Sequence, residues 1–135
     1  MEHYAVIHRY RGGDQFETFF KTNLEAAVAF AKKNWSVYLT KNEKKNTEFY
    51  GVTKHKVDEE GEMDFSSYDV VLDMKVVDRL WDVVNGADTV EEILEAELDV
   101  RSAAHERQGI TNDEFDELMR AISYKFRELN REGRF

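Results

Sequence analysis

The sequence predicts an α+β protein: a ββαββ unit over residues 1–75, whose antiparallel sheet packs on one helix, then three helices over residues 76–135 ending in an αα-hairpin. Three observations predict it. Short strand-like runs separated by glycine-bearing or acidic turns fill the first part of the chain, while apolar residues at three-to-four spacing fill the second. A Thr followed three residues later by Glu, the signature of a capped helix start, recurs at Thr40, Thr89 and Thr111.

Tyr4 to Tyr10 reads as the first strand, and Arg11-Gly12-Gly13-Asp14 as its hairpin turn, because glycine takes positive φ freely. Gln15 to Lys21 returns. Thr22 or Asn23 then caps a helix with Leu24, Ala27, Val28, Ala31, Trp35 and Leu39 on one stripe. Thr40 and Glu43 restart a short helical turn through Lys45. Glu48 to Val57 is a third strand, Asp58 to Glu62 a loop, and Tyr68 to Met74 a fourth strand. Val76, Val77, Leu80, Trp81 and Val84 give a helix stopped at Asn85-Gly86. The helix opened by Thr89 is expected to bury Val90, Ile93, Leu94 and Leu98, with Val100 and Ala104 at the margin. The one opened by Thr111 is expected to bury Phe115, Leu118, Met119, Ile122, Phe126 and Leu129.

With 41% hydrophobic and 13% aromatic residues, 135 residues suffice for a packed core. The absence of Cys excludes disulfides, thiolate metal sites and thiol nucleophiles. Met1-Glu2-His3-Tyr4 has neither the basic start nor the apolar stretch of a signal peptide, so a soluble, cytoplasmic protein is expected. Proline is also absent, which fits helices and hairpins turned by Gly and Asn.

The net charge of −9 is unevenly placed. Residues 1–57 hold ten Lys/Arg against six Asp/Glu, a net of +4; residues 58–100 hold two against fifteen, a net of −13; residues 101–135 hold seven of each. Such polarity speaks of partners rather than of fold. Asp58, Glu59, Glu60, Glu62 and Asp64 make an acidic turn. Asp88, Glu91, Glu92, Glu95 and Asp99 accompany the Thr89 helix, where Asp88, Glu92, Glu95 and Asp99 recur as one stripe expected to lie opposite the apolar one. Glu91 and Glu92 also favour the positive end of the helix dipole. A set of like charges on one face repels itself, and a basic partner would relieve that cost.

Other chemistries find less support. The His residues lack metal-ligand spacing: no pair stands at i, i+4, and no Glu-x-x-His exists. Counted from Asp58, position six of a calcium loop would be Met63 instead of Gly, with strands rather than helices on either side. No Ser lies in a Gly-x-Ser-x-Gly elbow, and Gly12-Gly13 sits in a hairpin rather than in a phosphate cradle. No metal or cofactor is therefore expected. Two alternatives stand beside an acidic binding protein. One is nucleic-acid binding through Lys32, Lys33, Lys41, Lys44, Lys45, Lys54 and Lys56, interleaved with Trp35, Tyr38, Phe49 and Tyr50. The other is a small enzyme with a carboxylate site. Apolar surface left uncovered on the Thr111 helix would draw a second copy, giving a homodimer.

The stretch Lys21-Thr22-Asn23-Leu24-Glu25-Ala26-Ala27, Trp35 with Leu39-Thr40, Glu43-Lys44-Lys45, the acidic Asp58-Glu59-Glu60 and the strand Tyr68-Asp69-Val70-Val71 carry a resemblance. Residues 20–74 resemble a loose group of small proteins encoded by phages and mobile elements of gut Firmicutes. The resemblance implies a mobile-element context and brings no catalytic residues. In that context, the expected partner of the acidic surface is a basic, nucleic-acid-handling host protein, such as a CRISPR effector or another defence nuclease, which the protein would inhibit.

Overall fold

The computed structural model describes residues 1–135. They form two compact units, Met1–Lys75 and Val76–Phe135, with one four-stranded antiparallel sheet and five α-helices in all.

In the first unit, β1 (Glu2–Tyr10) and β2 (Gln15–Lys21) pair as a hairpin. A helical segment follows: α1 (Leu24–Lys33), a π-helical turn (Asn34–Tyr38) and the short α2 (Lys41–Lys45). Then β3 (Thr47–Val57) and β4 (Met63–Asp73) complete a sheet of order β2-β1-β3-β4. The central pair sets Val6 opposite Val52 and His8 opposite Tyr50. Alternation puts these four on one face. Trp35 stacks on Tyr50 there, with ring centroids 5.4 Å apart and 29° between planes. Ala27 and Ala31 of α1 are buried, as is Trp35 in the π-helical turn that follows. Between Tyr50 and Val52, Gly51 is required by space: a Cβ there would run into the Leu72 carbonyl of β4.

Two expectations are corrected here. The helix predicted through Leu39 is not continuous, because α1 gives way to a π-helical turn at Asn34. Ser36 Oγ bonds back to the Lys32 carbonyl at 2.7 Å, and the Leu39 N–H reaches the Asn34 carbonyl. Side-chain competition of this kind distorts a helix. Val37 and Tyr38 of this turn are exposed. The fourth strand is also longer than predicted. It begins at Met63, opposite Val57, so Asp64 lies in a strand rather than in the acidic loop. Irregularities between Val52/Thr53 and between His55/Val57 break the two-residue alternation that would have revealed it.

The second unit contains α3 (Met74–Gly86) from Val76 onward, α4 (Val90–His105) and α5 (Asn112–Arg131). Thr89 and Thr111 cap α4 and α5 through the N–H groups of Glu92 and Glu114. Leu80 and Val84 of α3, Ile93, Ala96, Val100 and Ala103 of α4, and Leu118, Ile122 and Leu129 of α5 make its core. At the C-terminus of α3, Lys125 Nζ donates to the carbonyls of Val84 and Asn85, which is where a cation satisfies otherwise unbonded carbonyls.

The apolar stripe of α4 is the clearest correction. Leu94 and Leu98 are 45% and 66% exposed, whereas Ile93, Ala96, Val100 and Ala103 are buried. At about 100° per residue, the buried four span an arc of roughly 80°, while Leu94 and Leu98 point about 100–140° away from Ile93. One helix face can be covered by one set or the other. The structure covers the set with two alanines, whose small side chains admit a close neighbour.

Candidate functional site

The ten carboxylates predicted as one acidic surface fall in both units. Five belong to the β3–β4 hairpin, and its turn uses one of them structurally. Asp58 Oδ1 accepts from the N–H groups of Glu60 and Glu62, at 2.9 and 2.8 Å, and the Gly61 N–H reaches the Asp58 carbonyl. Asp64 accepts from the N–H and the hydroxyl of Ser66, and the Ser66 hydroxyl hydrogen bond holds its carboxyl below the usual carboxylate range. Glu59, Glu60 and Glu62 remain as exposed side chains at the tip. Two of the five hairpin acids therefore hold local backbone, and three do not.

The other five accompany α4. Asp88 pairs with Arg134 at 3.9 Å, and Glu92 exchanges contacts with the Thr89 cap. Glu91 is exposed in the first turn. Glu95 and Asp99 continue the stripe. That stripe flanks the buried one instead of opposing it, since Glu92, Glu95 and Asp99 lie roughly 90° from its centre at about 100° per residue. The flanking position gives it a second wall. Glu92, Glu95 and Asp99 line an open cleft of ≈ 260 Å³ with Asp82, Val83 and Gly86 of α3. No Lys or Arg stands within ion-pair distance of Asp82, Glu95 or Asp99. Asp82 was missed in the sequence. Its signal was the four-residue step from Asp78, which puts two acids on one edge of α3.

The basic set is divided. Lys32 and Lys33 close α1, and Lys41, Lys44 and Lys45 lie on or beside α2. Lys44 Nζ sits over the Trp35 ring at 5.2 Å. Lys54 is flanked by carboxylates, Glu2 at 3.7 Å and Asp69 at 3.9 Å, and Lys56 lines the same cleft as those acids. Two of the aromatics proposed for base stacking are withdrawn: Trp35 and Tyr50 are 3% and 1% exposed and stack on each other. Tyr38 stays exposed and Phe49 half-buried.

Two histidines are built into the sheet. Thr47 Oγ donates to the Glu43 carbonyl, so it accepts from His8 Nε2 at 2.8 Å. Burial pushes the His8 imidazole below its ordinary value, with Glu43 opposing, and the neutral ring stacks on Tyr10 at 4.1 Å. His55 Nδ1 lies 2.9 Å from the Asp64 carbonyl, to which it can only donate, and Nε2 lies 2.6 Å from Thr53 Oγ. These are internal bonds of a folded sheet. Nowhere do three His, Asp or Glu side chains come together in a group suited to a metal ion. No helix is long and apolar enough to cross a membrane.

The chain matches no protein-family profile, no curated protein and no solved structure. Asp58 and Asp64 in the hairpin and Glu92 in the cleft each bond locally, whereas Asp82, Glu95 and Asp99 in the cleft, like Glu59, Glu60 and Glu62 at the hairpin tip, have no hydrogen-bond or ion-pair partner.

Proposed function

We propose that this chain is a non-enzymatic acidic binding protein of phage or mobile-element origin. It acts in the cytoplasm by docking on, and inhibiting, a basic nucleic-acid-handling host protein such as a CRISPR effector or another defence nuclease. The supporting observation is the cleft of Asp82, Glu92, Glu95 and Asp99, three of whose carboxylates have no counter-ion. Helices α3 and α4 bring these acids to one cleft, and like charges gathered on one face repel. A basic groove that normally holds phosphates offers the complementary potential, and its lysines and arginines would relieve that repulsion. The resemblance of residues 20–74 to phage and mobile-element proteins supplies the context that makes a host nuclease the natural partner class.

Affinity capture from host lysate at about 50 and about 300 mM salt tests this reading, because screening weakens such a contact steeply. The expected result is capture of basic nucleic-acid-handling proteins at low salt, their release at high salt, and loss of capture in the D82K/E92K/E95K/D99K variant. Capture indifferent to salt and to the reversal contradicts the proposal. The alternative, direct nucleic-acid binding through Lys32, Lys33, Lys41, Lys44, Lys45, Lys54 and Lys56, is separated by a low-salt mobility-shift assay with single-stranded DNA, in which no shift is expected.

A further inference from the structure

The first unit holds a cavity of its own, between the sheet and α1. It is open, ≈ 260 Å³ in volume, and lined by His8 of β1, Phe16 of β2, Tyr50 of β3, Phe30 of α1 and Asn34 just after it, among others. Pockets for drug-sized ligands start at roughly 300 Å³, so a smaller molecule fits here. Thr47 Oγ donates to the Glu43 carbonyl and accepts from His8 Nε2, which places the proton of the neutral imidazole on Nε2. Nδ1 is left as a bare lone pair on a side chain only 8% exposed. No buried side-chain nitrogen or oxygen of the molecule is both unpartnered and shut off from the surface, so Nδ1 opens onto the cavity that His8 lines. The buried Tyr50 hydroxyl accepts from Asn34 Nδ2 at 2.8 Å, which leaves its own hydrogen to give. We infer that this cavity binds a single nucleobase, carried by a free nucleoside or nucleotide, whose edge N–H donates to His8 Nδ1 and whose ring stacks on Phe16 and Phe30.

The lining selects this chemistry. With His8 held neutral by burial, no side chain around the cavity is charged, so neither an anion nor a cation finds a counter-charge there. A purely apolar ligand would leave the His8 lone pair and the Tyr50 hydrogen without partners. A planar heterocycle with a donor beside an acceptor satisfies both. Phe16 and Phe30 are 63% and 40% exposed, and neither is in a face-to-face stack: Phe16 meets Tyr10 at 89° and Phe30 meets Phe20 at 52°. Their faces are open to a base. One base suits the site better than a strand, since Trp35 and Tyr50 are stacked on each other and offer no neighbouring platform.

Titration of the full chain with adenosine, cytidine, uridine and inosine, followed through the imidazole nitrogen resonances of His8, is the test. At least one nucleoside is expected to bind with a Kd of about 1 mM or tighter and to move the Nδ1 resonance towards that of a hydrogen-bonded nitrogen. The N-methylated form of that nucleoside, lacking the edge N–H, should bind at least about tenfold more weakly. The F16A and F30A variants should each weaken binding by about fivefold or more, with circular dichroism matching the parent to separate lost binding from lost folding. A mixed-sequence single strand of about ten nucleotides should bind no more than about fivefold tighter than the nucleoside. The inference is overturned if none of the four nucleosides reaches that affinity, if binding leaves Nδ1 unmoved, or if methylation or both Phe variants leave the affinity unchanged. A strand that binds more tightly than that limit would overturn the assignment to a free ligand.

Discussion

The two acidic regions of this molecule look alike as sequence and differ as physical objects. In the β3–β4 hairpin, Asp58 accepts from two N–H groups of the turn and Asp64, in β4, from Ser66, while Glu59, Glu60 and Glu62 bond to nothing; Lys54 stands beside Asp69. In the helical unit, Asp82, Glu95 and Asp99 face a cleft with no donor and no cation. The division is also visible in net charge. Residues 1–75 hold 11 Lys/Arg against 13 Asp/Glu, whereas residues 76–135 hold 8 against 15. Asp58 and Asp64 are accounted for by the folding of their hairpin, whereas Asp82, Glu95 and Asp99 have no such local role, and on that difference the proposed docking face rests.

The comparison can be broken by mutation, beginning with the sheet that carries the hairpin. G51A should cost about 3 kcal/mol or more, or prevent folding, because the Leu72 backbone cannot withdraw from a new Cβ as a flexible side chain would. Chemical denaturation checks it, and a neutral result would mean that β4 is not held so tightly on β3. D58A should cost about 1 kcal/mol by removing the acceptor for two turn N–H groups. In the cleft the sign should reverse. E95Q and D99N should be neutral or stabilising by about 0.3 kcal/mol, since each deletes a repulsion and no bond. If D58A is neutral and D99N is destabilising, the distinction between working and unpartnered acids fails.

Acid titration gives the gentlest test. His8 is held below its ordinary value of 6.5, chiefly by burial, so the unfolded chain takes up that proton more readily than the folded one. Its contribution to stability is complete above pH 6.5 and falls as the pH drops below it. H8Q should flatten the melting temperature in that window. Asp64, also lowered, acts the same way lower down: the Ser66 hydrogen bond favours its ionised form, and that contribution is lost as pH falls below the ordinary value of 3.8. D64N should leave the His8 window untouched.

Capping boxes and turns were legible in the sequence because they are local: Thr40, Thr89 and Thr111 each find their donor three residues away. The α4 stripe was not, since Leu94 and Leu98 look more like core residues than Ala96 and Ala103. Only the packing of α5 and α3 reveals that small side chains were wanted there. The start of β4 was hidden by bulges, and the π-helical turn by a serine bond that no periodicity encodes. Half of the acidic cleft could be read as a stripe on one helix. Its other wall, Asp82, required the tertiary fold.

The central claim is that the helical cleft, not the hairpin tip, is the docking face. Its most direct test is the affinity of one captured basic partner, titrated at low salt against three proteins: the parent, D82K/E92K/E95K/D99K and E59K/E60K/E62K. Both variants change only exposed carboxylates, and the hairpin triple spares Asp58 and Asp64. Loss of binding by about a hundredfold or more in the cleft variant, with a change under about fivefold in the hairpin variant, is the predicted result. Equal losses in both, or a larger loss in the hairpin variant, would contradict the claim.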